Sequence, residues 1–280
     1  MPPCPRCAGA EVKKDGQAGE TQRYRCHACR RTFIDRTGTP FAGHRWPREI
    51  IVAAVRWYLR FRLSAADVRD LLAERGVDVS ARTVLHWVQK FAPLLARAGR
   101  RAATRLGVRW WCDETYVRVG GKWAYLCRAI DEAGQVVDVL LRAHRDLDSA
   151  RAFFVLATYR RRAAPEEVIT DKHAAYARAV REEVPGAIHT QSGLHRASGP
   201  DTKPIERSHV PTKDRLRPMR GLQSIRTGQR AIEGVELARA VQGGHVVAPT
   251  VTPGPLGPHA RARAARTTFT WLADSLRVAA

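Results

Sequence analysis

The sequence lacks a long apolar run. None of its 280 residues belong to a segment that approaches the roughly 20 consecutive apolar residues of a membrane-spanning helix. The N-terminus carries proline, cysteine and charged residues where a signal peptide has an apolar core, so we expect a cytoplasmic protein. Internal repeats are also absent, and the length allows one sizeable domain with smaller modules.

Acidic residues are scarce relative to basic ones. The chain has 27 Asp and Glu against 48 Lys and Arg, which gives a net charge of +21 at pH 7. A basic excess of this size indicates a polyanionic partner. Only seven of the basic residues are lysine. Since a GC-rich genome also enriches arginine, the inference rests on the total charge and not on the choice of arginine.

Six cysteines in a cytosolic chain favour a metal site over disulfides. Four of them form two Cys-x-x-Cys pairs with eighteen residues between the pairs: Cys4 with Cys7, and Cys26 with Cys29. This spacing predicts a four-thiolate site for one structural zinc in a ribbon over residues 1–40. The alternatives are a decayed finger or free thiols, and the ribbon could contact either DNA or protein. Cys112 and Cys127 fall in apolar strands, where we expect small buried side chains.

Residues 45–98 have the periodicity of three helices. Ser64 and Ser80 are good N-caps for the second and third helices, and Gly76 breaks the chain between them. A short helix, a turn and a capped helix predict a helix-turn-helix, whose second helix enters the major groove of DNA by its N-terminal residues. The candidate DNA contacts are Arg82, Thr83 and His86. Any three-helix bundle would show the same apolar periodicity, so the pattern alone leaves that alternative open.

The middle of the chain alternates strands and helices. Three strands over 108–119, 122–131 and 135–142 are followed by helix, strand, helix and strand at 148–161, 168–170, 174–183 and 187–190. Gly120-Gly121 is a hairpin signal between the first two strands. This element order predicts the α/β class, with a mixed sheet flanked by helices.

Three acidic residues occupy distinctive places in this pattern. Asp113 lies inside the first strand, Asp171 follows a later strand, and Glu206 lies at the start of a helix. Alone, Asp113 could be a solvent-facing edge residue. Together, the three can converge on two divalent metals, which clamp the attacking and leaving oxygens in a phosphoryl displacement. Neighbouring Glu114 should point to the opposite face of the strand and stay away from these metals.

The segments WWCDETYVRVGGKWAYLCRAID, VITDKHAAY and IERSHVPTKDRLRPMRGLQSIRTGQRAIEG resemble the catalytic core of bacterial insertion-sequence transposases, in the replicative insertion-sequence family six group. The resemblance implies a ribonuclease-H-like, retroviral-integrase-like domain over residues 107–240. It implies that Asp113, Asp171 and Glu206 bind two Mg²⁺ or Mn²⁺ ions. It also implies terminal inverted repeats and target DNA as partners, and a homodimer or larger assembly. Pro211 falls within the helix that carries Glu206 and should end or kink it.

Basic residues cluster after Glu206. Three of them, Lys213, Arg215 and Arg217, are candidate contacts to the DNA being cut, although the cluster could also be a solvated helix face. Beyond residue 243, four prolines within ten residues predict that 243–280 is a disordered tail, within which residues 260–280 could form a basic helix.

The combined prediction is a transposase that nicks the 3′ ends of an insertion sequence and joins them to target DNA. Two alternatives come from other classes of protein. One is a DNA-binding regulator whose core has no activity, and the other is a ribonuclease-H-like nuclease that only hydrolyses. Joining of 3′ ends to a target would exclude both.

Overall fold

The N-terminal part of the chain is a small three-stranded antiparallel sheet. The structure is a computed structural model and describes residues 1–19, 21–192, 203–219, 222–252 and 257–276, without the side chain of Lys203. The strands are β1 (Val12–Ala18), β2 (Thr21–Cys26) and β3 (Thr32–Ile34), in the order β1-β2-β3. Their buried apolar cluster holds only Cys4, Val12, Cys26 and Phe33. So small a cluster fits a fold whose stability comes from a metal.

Three helices follow: α1 (Arg48–Arg60), α2 (Ala65–Ala73) and α3 (Ala81–Ala102). The two predicted N-caps are confirmed. Ser64 forms a reciprocal capping box with Asp67, and the Ser80 hydroxyl accepts from the backbone N–H of Thr83. Helix α3 continues to Ala102, four residues beyond the predicted helical region 45–98.

A five-stranded mixed sheet forms the centre of the molecule, in the order β6-β5-β4-β7-β8. Its strands are β4 (Arg109–Val119), β5 (Lys122–Asp131), β6 (Val136–Arg142), β7 (Glu167–Thr170) and β8 (Ile188–Gln191). Strands β4, β5 and β6 pair antiparallel to one another, β7 pairs parallel to β4, and β8 pairs parallel to β7. Gly120 and Gly121 turn the β4–β5 hairpin at φ 55° and 78°, values that glycine adopts without strain. The predicted mixed α/β sheet is confirmed, and this topology is ribonuclease-H-like.

Helices cover both faces of this sheet. Trp110 and Cys112 of β4 pack against α4 (Leu147–Arg161) and α5 (Ala174–Glu183). Val117 and Val119, which point the other way, pack against α7 (Ile225–Gln242). Helix α6 (Lys203–Leu216) contacts β4 and β5, and a short 3-10 turn at Arg217–Met219 follows it. Helix α6 continues through Pro211, so of the two expected effects of this proline, an end or a kink, the end does not occur.

The prediction that the C-terminal segment is a disordered tail is wrong for most of its residues, which include a docked helix. Helix α8 (Pro258–Asp274) buries Phe269 and Leu272 in the core that α1, α2, α3 and α7 share. The prolines before α8 dominate the composition of this segment, which is why the sequence predicts disorder. The apolar residues in the second half of α8 nevertheless bury enough surface to dock the helix on the core. Residues 253–256 and 277–280 of the predicted tail lie outside the described residues.

The same core joins the predicted helix-turn-helix to the catalytic part of the chain. Gly234 of α7 lies so close to α3 that an added Cβ would be 2.8 Å from the Cβ of Ala92. Helix α3 and the sheet-covering helix α7 therefore pack directly on each other. Within the described ranges, no helix is long and apolar enough to cross a membrane.

Candidate active site

Asp113 and Asp171 lie side by side at the edge where β4 and β7 meet. The two strands are parallel, with Trp111 opposite Ile169. Two residues further along each strand, this register brings Asp171, just after the end of β7, beside Asp113. The predicted convergence of these two acids therefore follows from the pairing of two strands that are 58 residues apart in the chain.

Glu114 joins these two acids. One carboxylate oxygen from each of Asp113, Glu114 and Asp171 lies within 4.8 Å of the others. Strand alternation does put Glu114 on the side of α4 and α5, where its side chain is 8% exposed. The expectation that it stays away from the site is nevertheless wrong, because Asp171 lies at the strand end and is accessible from both faces. Burial, the largest influence, raises the pKa of Glu114, while nearby Arg145 opposes this shift.

Arg145 holds two of the acids. Its Nη2 donates to Asp171 Oδ2 at 2.7 Å and to Glu114 Oε2 at 3.2 Å. Burial lowers the pKa of the guanidinium, but the two carboxylates outweigh this effect and raise it overall. Asp171 Oδ1 also accepts from the backbone N–H of His173 at 3.0 Å. The orientation of Asp171 is thus fixed through both of its oxygens.

His209 of α6 orients Asp113. Its Nε2 lies 3.1 Å from Asp113 Oδ2, and its Nδ1 lies 3.3 Å from Arg128 Nη1. An arginine can only donate, so Nδ1 accepts and the imidazole proton is on Nε2, which donates to Asp113. Arg128 is directly opposite Asp113 in the β4–β5 pair. The acid is therefore held through a side chain on its neighbouring strand and a helix above it.

A buried ion pair supports this arrangement. Arg128, with a fully buried side chain, donates to Glu236 Oε2 of α7 at 3.1 Å and to the Ser208 hydroxyl at 2.6 Å. Glu236 Oε1 accepts from Thr212 at 2.7 Å, and Arg239 adds a further bond to Thr212 at 2.7 Å. Burial pushes the pKa of Glu236 up, but Arg128 and Arg239 outweigh it and the pKa is lowered. These bonds fix α6 against the sheet.

Glu206 is exposed in the first turn of α6. Among the described residues, the group of acids whose ligand atoms lie within 4.8 Å of one another does not include it. It is three residues before His209 and hence on the same side of α6, one turn away. The structure thus brings Asp113 and Asp171 together, and Glu206 lies on the helix whose His209 contacts Asp113.

The four N-terminal cysteines converge as predicted from their spacing. Cys4 Sγ and Cys29 Sγ are 3.6 Å apart, as are Cys7 Sγ and Cys26 Sγ. Thiolates around a tetrahedral zinc with Zn–S bonds of about 2.3 Å would be about 3.8 Å apart, so the observed geometry fits this ion. The backbone N–H groups of Arg6 and Cys7 lower the pKa of Cys4 to about 6.

The predicted DNA contacts on α3 are partly accessible. Arg82 and His86 are exposed. The hydroxyl of Thr83 lies 3.0 Å from that of Ser80, so this residue takes part in the helix cap.

Of the three DNA contacts predicted after Glu206, two are exposed and one is buried. Lys213 is exposed, and the side chain of Arg217 is 81% exposed. The prediction that Arg215 contacts DNA is wrong. This residue is buried, donates to the carbonyls of Leu59 and Leu63, and stacks on Tyr58 at 4.9 Å. Burial lowers its pKa to about 10. Its side chain caps the end of α1 and cannot grip DNA.

Sequence reasoning missed His209 and Arg145. For His209 a signal existed, since a histidine one helical turn after a candidate acid shares its face. Arg145 lies in the loop before α4, where only the three-dimensional fold shows which carboxylates it meets.

The comparison with protein families defines the class of the central domain. The family model described as a DDE domain matches residues 107–245. This range contains the sheet, Asp113, Asp171 and Glu206.

Curated relatives are similar over most of the chain. The transposase for the insertion sequence-like element IS431mec of Staphylococcus aureus is 35% identical over 201 residues, 72% of this chain and 88% of that protein. The S. aureus transposase for insertion sequence element IS257 in transposon Tn4003 has the same identity and coverage. Among solved structures, the HTLV-2 integrase catalytic core domain in complex with magnesium has a TM-score of 0.37, with 12% identity, 58% of this chain and 98% of that chain covered. The chain belongs to the DDE transposases of bacterial insertion sequences, in insertion-sequence family six.

Proposed function

We propose that this transposase binds the terminal inverted repeats of its element, nicks their 3′ ends and joins the freed 3′-hydroxyls to target DNA. Asp113, Asp171 and Glu206 are the proposed catalytic acids. The observation that supports this proposal most directly is that Asp113 lies beside Asp171 in a chain whose residues 107–245 match a DDE domain. Since its substrate is the DNA of the cell, a cytoplasmic location is part of the proposal.

The acidic group fits hard divalent cations. Two oxygens on one Mg²⁺ are at most about 4.2 Å apart, close to the spacing of the ligand oxygens of Asp113, Glu114 and Asp171. We assign two Mg²⁺, or Mn²⁺, to Asp113, Asp171 and Glu206. When bound, the ions would activate the nucleophile and stabilise charge on the leaving oxygen. One structural zinc is assigned to Cys4, Cys7, Cys26 and Cys29.

The protein's own residues orient the reacting groups. His209 fixes the rotation of Asp113, while Arg145 and the His173 N–H fix that of Asp171. Residues in a fixed geometry need no reorganisation when charge develops on a phosphate. Glu206, on the exposed side of α6, can approach a phosphate that enters from solvent.

DNA contacts lie on both sides of these acids. Arg82 and His86 at the start of α3 are the proposed readers of the terminal repeats, and Lys213 and Arg217 are proposed phosphate contacts. Replacing Arg82 or His86 by alanine should weaken binding to the element's ends more than to random DNA, because a base contact contributes about 1–3 kcal/mol of discrimination. Since two ends must be processed, a homodimer or larger assembly is part of the proposal.

An in vitro strand-transfer assay with end-containing oligonucleotides and Mn²⁺ tests the chemistry. Asp113→Asn, Asp171→Asn and Glu206→Gln should each abolish nicking and joining while leaving end binding intact. Glu114→Gln should lower the rate but retain part of it, because Glu114 acts mainly as the partner of Arg145. Joining at the wild-type rate by Asp171→Asn or Glu206→Gln would overturn the assignment. Cleavage without joining by the wild type would indicate a nuclease, and binding alone would indicate a regulator.

A further inference from the structure

The tip of the β4–β5 hairpin carries an exposed aromatic patch beside the proposed active site. Tyr116 and Trp123 are 54% and 60% exposed, and their rings meet edge to face with centroids 6.2 Å apart. Both belong to the face of the hairpin that also carries Arg118, directly opposite Trp123. Exposed aromatic rings of this size rarely occur together on a soluble surface without a partner.

The patch is fixed in place and adjoins a cavity. The backbone N–H of Gly120 donates to the carbonyl of Leu222, which anchors the hairpin tip to the segment before α7. A cavity of about 320 Å³ lies between the hairpin and the end of α6. Its lining includes Tyr116, Trp123 and Lys213. This volume is at the lower end of the range for small organic groups, about 300–1,000 Å³.

The charges around the cavity identify the kind of partner. Arg118 lies over the Trp123 ring at 5.1 Å, and Lys213 and Arg217 line the other wall. The acid in this region, Asp214, already pairs with Arg62 and Arg217. A surface of aromatic rings bordered by cations is typical of single-stranded DNA binding. The bases stack on the rings, and the cations neutralise the phosphates. A second copy of this chain would bring the same positive charges against this surface.

The patch lies at a fixed distance from the acids. Tyr116 is three positions along β4 from Asp113, a backbone separation of about 10 Å at ~3.4 Å per residue, and it shares the face of Glu114, whose carboxylate lies close to both Asp113 and Asp171. Seven residues of α6 separate Lys213 from Glu206, again about 10 Å at ~1.5 Å per residue. A stacked strand advances ~3.4 Å per nucleotide, so the patch is about three nucleotides from a phosphate at the acids.

We propose that Trp123 and Tyr116 form a binding site for an unpaired DNA base, which is drawn from the duplex about three nucleotides from the cleaved phosphate. This inference rests on the proposed function for its substrate. Holding a base there would keep the strand end open beside the acids. It would also fix which phosphate lies between Asp113 and Asp171.

The test compares two DNA probes without divalent metal, so that no chemistry takes place. One is a fully paired duplex, and the other is the same duplex with a short oligothymidine arm containing 2-aminopurine. Wild-type protein should bind the forked probe more tightly by anisotropy and should quench the 2-aminopurine emission by stacking. Trp123→Ala should weaken forked binding by about 5- to 100-fold, leave paired binding within about twofold, and abolish the quench. Trp123→Phe should retain most of the preference.

The matched control is Tyr159→Ala, which removes an 80% exposed aromatic ring from α4. It should behave as wild type. Equal affinity of wild type for both probes, or an unchanged fork preference in Trp123→Ala, would overturn the proposal. If Trp123→Ala instead dissociates an oligomer in sedimentation and keeps the fork preference, the patch is an interface between copies and the proposal is wrong. This binding test contains no divalent metal and measures no cleavage, so its outcome is independent of the strand-transfer assay, and a failure of the catalytic assignment is distinguishable from a failure of the base site.

Discussion

His209 Nε2 lies 3.1 Å from Asp113 Oδ2, although 96 residues separate the two in the chain. The histidine is 6% exposed and receives a bond from fully buried Arg128 on its other ring nitrogen. The orientation of the proposed metal ligand therefore depends on helix α6, the helix that also carries Glu206. Any displacement of this helix changes two of the three proposed catalytic acids together.

We expect His209→Ala to reduce strand transfer by about 10- to 100-fold, the usual effect of losing a group that orients a metal ligand. The loss should be smaller at high Mg²⁺, because a mobile Asp113 binds metal more weakly but still binds it. The measurement is the Mg²⁺ dependence of the initial joining rate. His259→Ala, at an exposed site on α8, serves as the control. A reduced rate with unchanged Mg²⁺ dependence would contradict a role in orienting Asp113.

Glu236→Gln should destabilise the fold by about 3–5 kcal/mol near pH 7, because it leaves the buried Arg128 guanidinium without its counter-charge. The pKa of Glu236 is lowered in the folded state, so its contribution is present above the unfolded value of about 4.3 and is lost as pH falls through the folded pKa. The difference from wild type should be constant between about pH 8 and pH 5 and narrow only in more acidic solution.

Urea unfolding at several pH values provides this measurement. Glu49→Gln makes the same chemical change at an exposed pair with Arg48, where we expect less than about 0.5 kcal/mol. A stability difference for Glu236→Gln that grows below pH 4 would contradict the lowered pKa.

Arg215→Ala and Arg217→Ala should separate structure from DNA binding. Loss of Arg215 leaves the carbonyls of Leu59 and Leu63 without their donor, and we expect destabilisation of about 2 kcal/mol. Loss of exposed Arg217 should leave the melting temperature unchanged and reduce the salt dependence of DNA binding by about one phosphate contact. Thermal melts and salt titrations on both variants check this. A stable Arg215→Ala with weakened DNA binding would restore the original prediction for Arg215.

Cys26→Ser should lose one zinc per chain and unfold the ribbon, because its four-residue apolar cluster is too small to fold without the metal. Elemental analysis of freshly reduced protein gives the zinc content, and limited proteolysis reports cleavage within residues 1–34. Cys112→Ser, at a buried cysteine of β4, should keep the zinc. A wild-type protein without zinc but with a protease-resistant ribbon would contradict the prediction.

The sequence predicted those parts of the fold that depend on local interactions. The hairpin at Gly120-Gly121 requires two positive φ angles, and the caps at Ser64 and Ser80 require side chains that accept from the backbone. Such signals lie within a few residues of the structure they specify. The positions of Asp113 and Asp171 could also be anticipated, because acids inside an apolar strand or directly after one have few structural roles.

The missed features depend on contacts between distant segments. Arg215 resembles its exposed neighbours in sequence, and only the packing of α6 against α1 shows that it is buried. Glu114 alternates away from Asp113, yet Asp171 approaches both from the next strand. Helix α8 follows a proline-rich segment, and its apolar face is evident only against the core it completes.

The close packing at Gly234 has a consequence for where the DNA is cut. With α7 packed against α3 at this glycine, the proposed DNA-reading end of α3 and the proposed catalytic acids belong to one packed unit. The distance along the DNA between the recognised sequence and the cleaved bond is then set by the packing of these helices. A longer loop at residues 103–107 would leave that distance unchanged. A bulky side chain at position 234 would alter it, and cleavage would shift along the DNA.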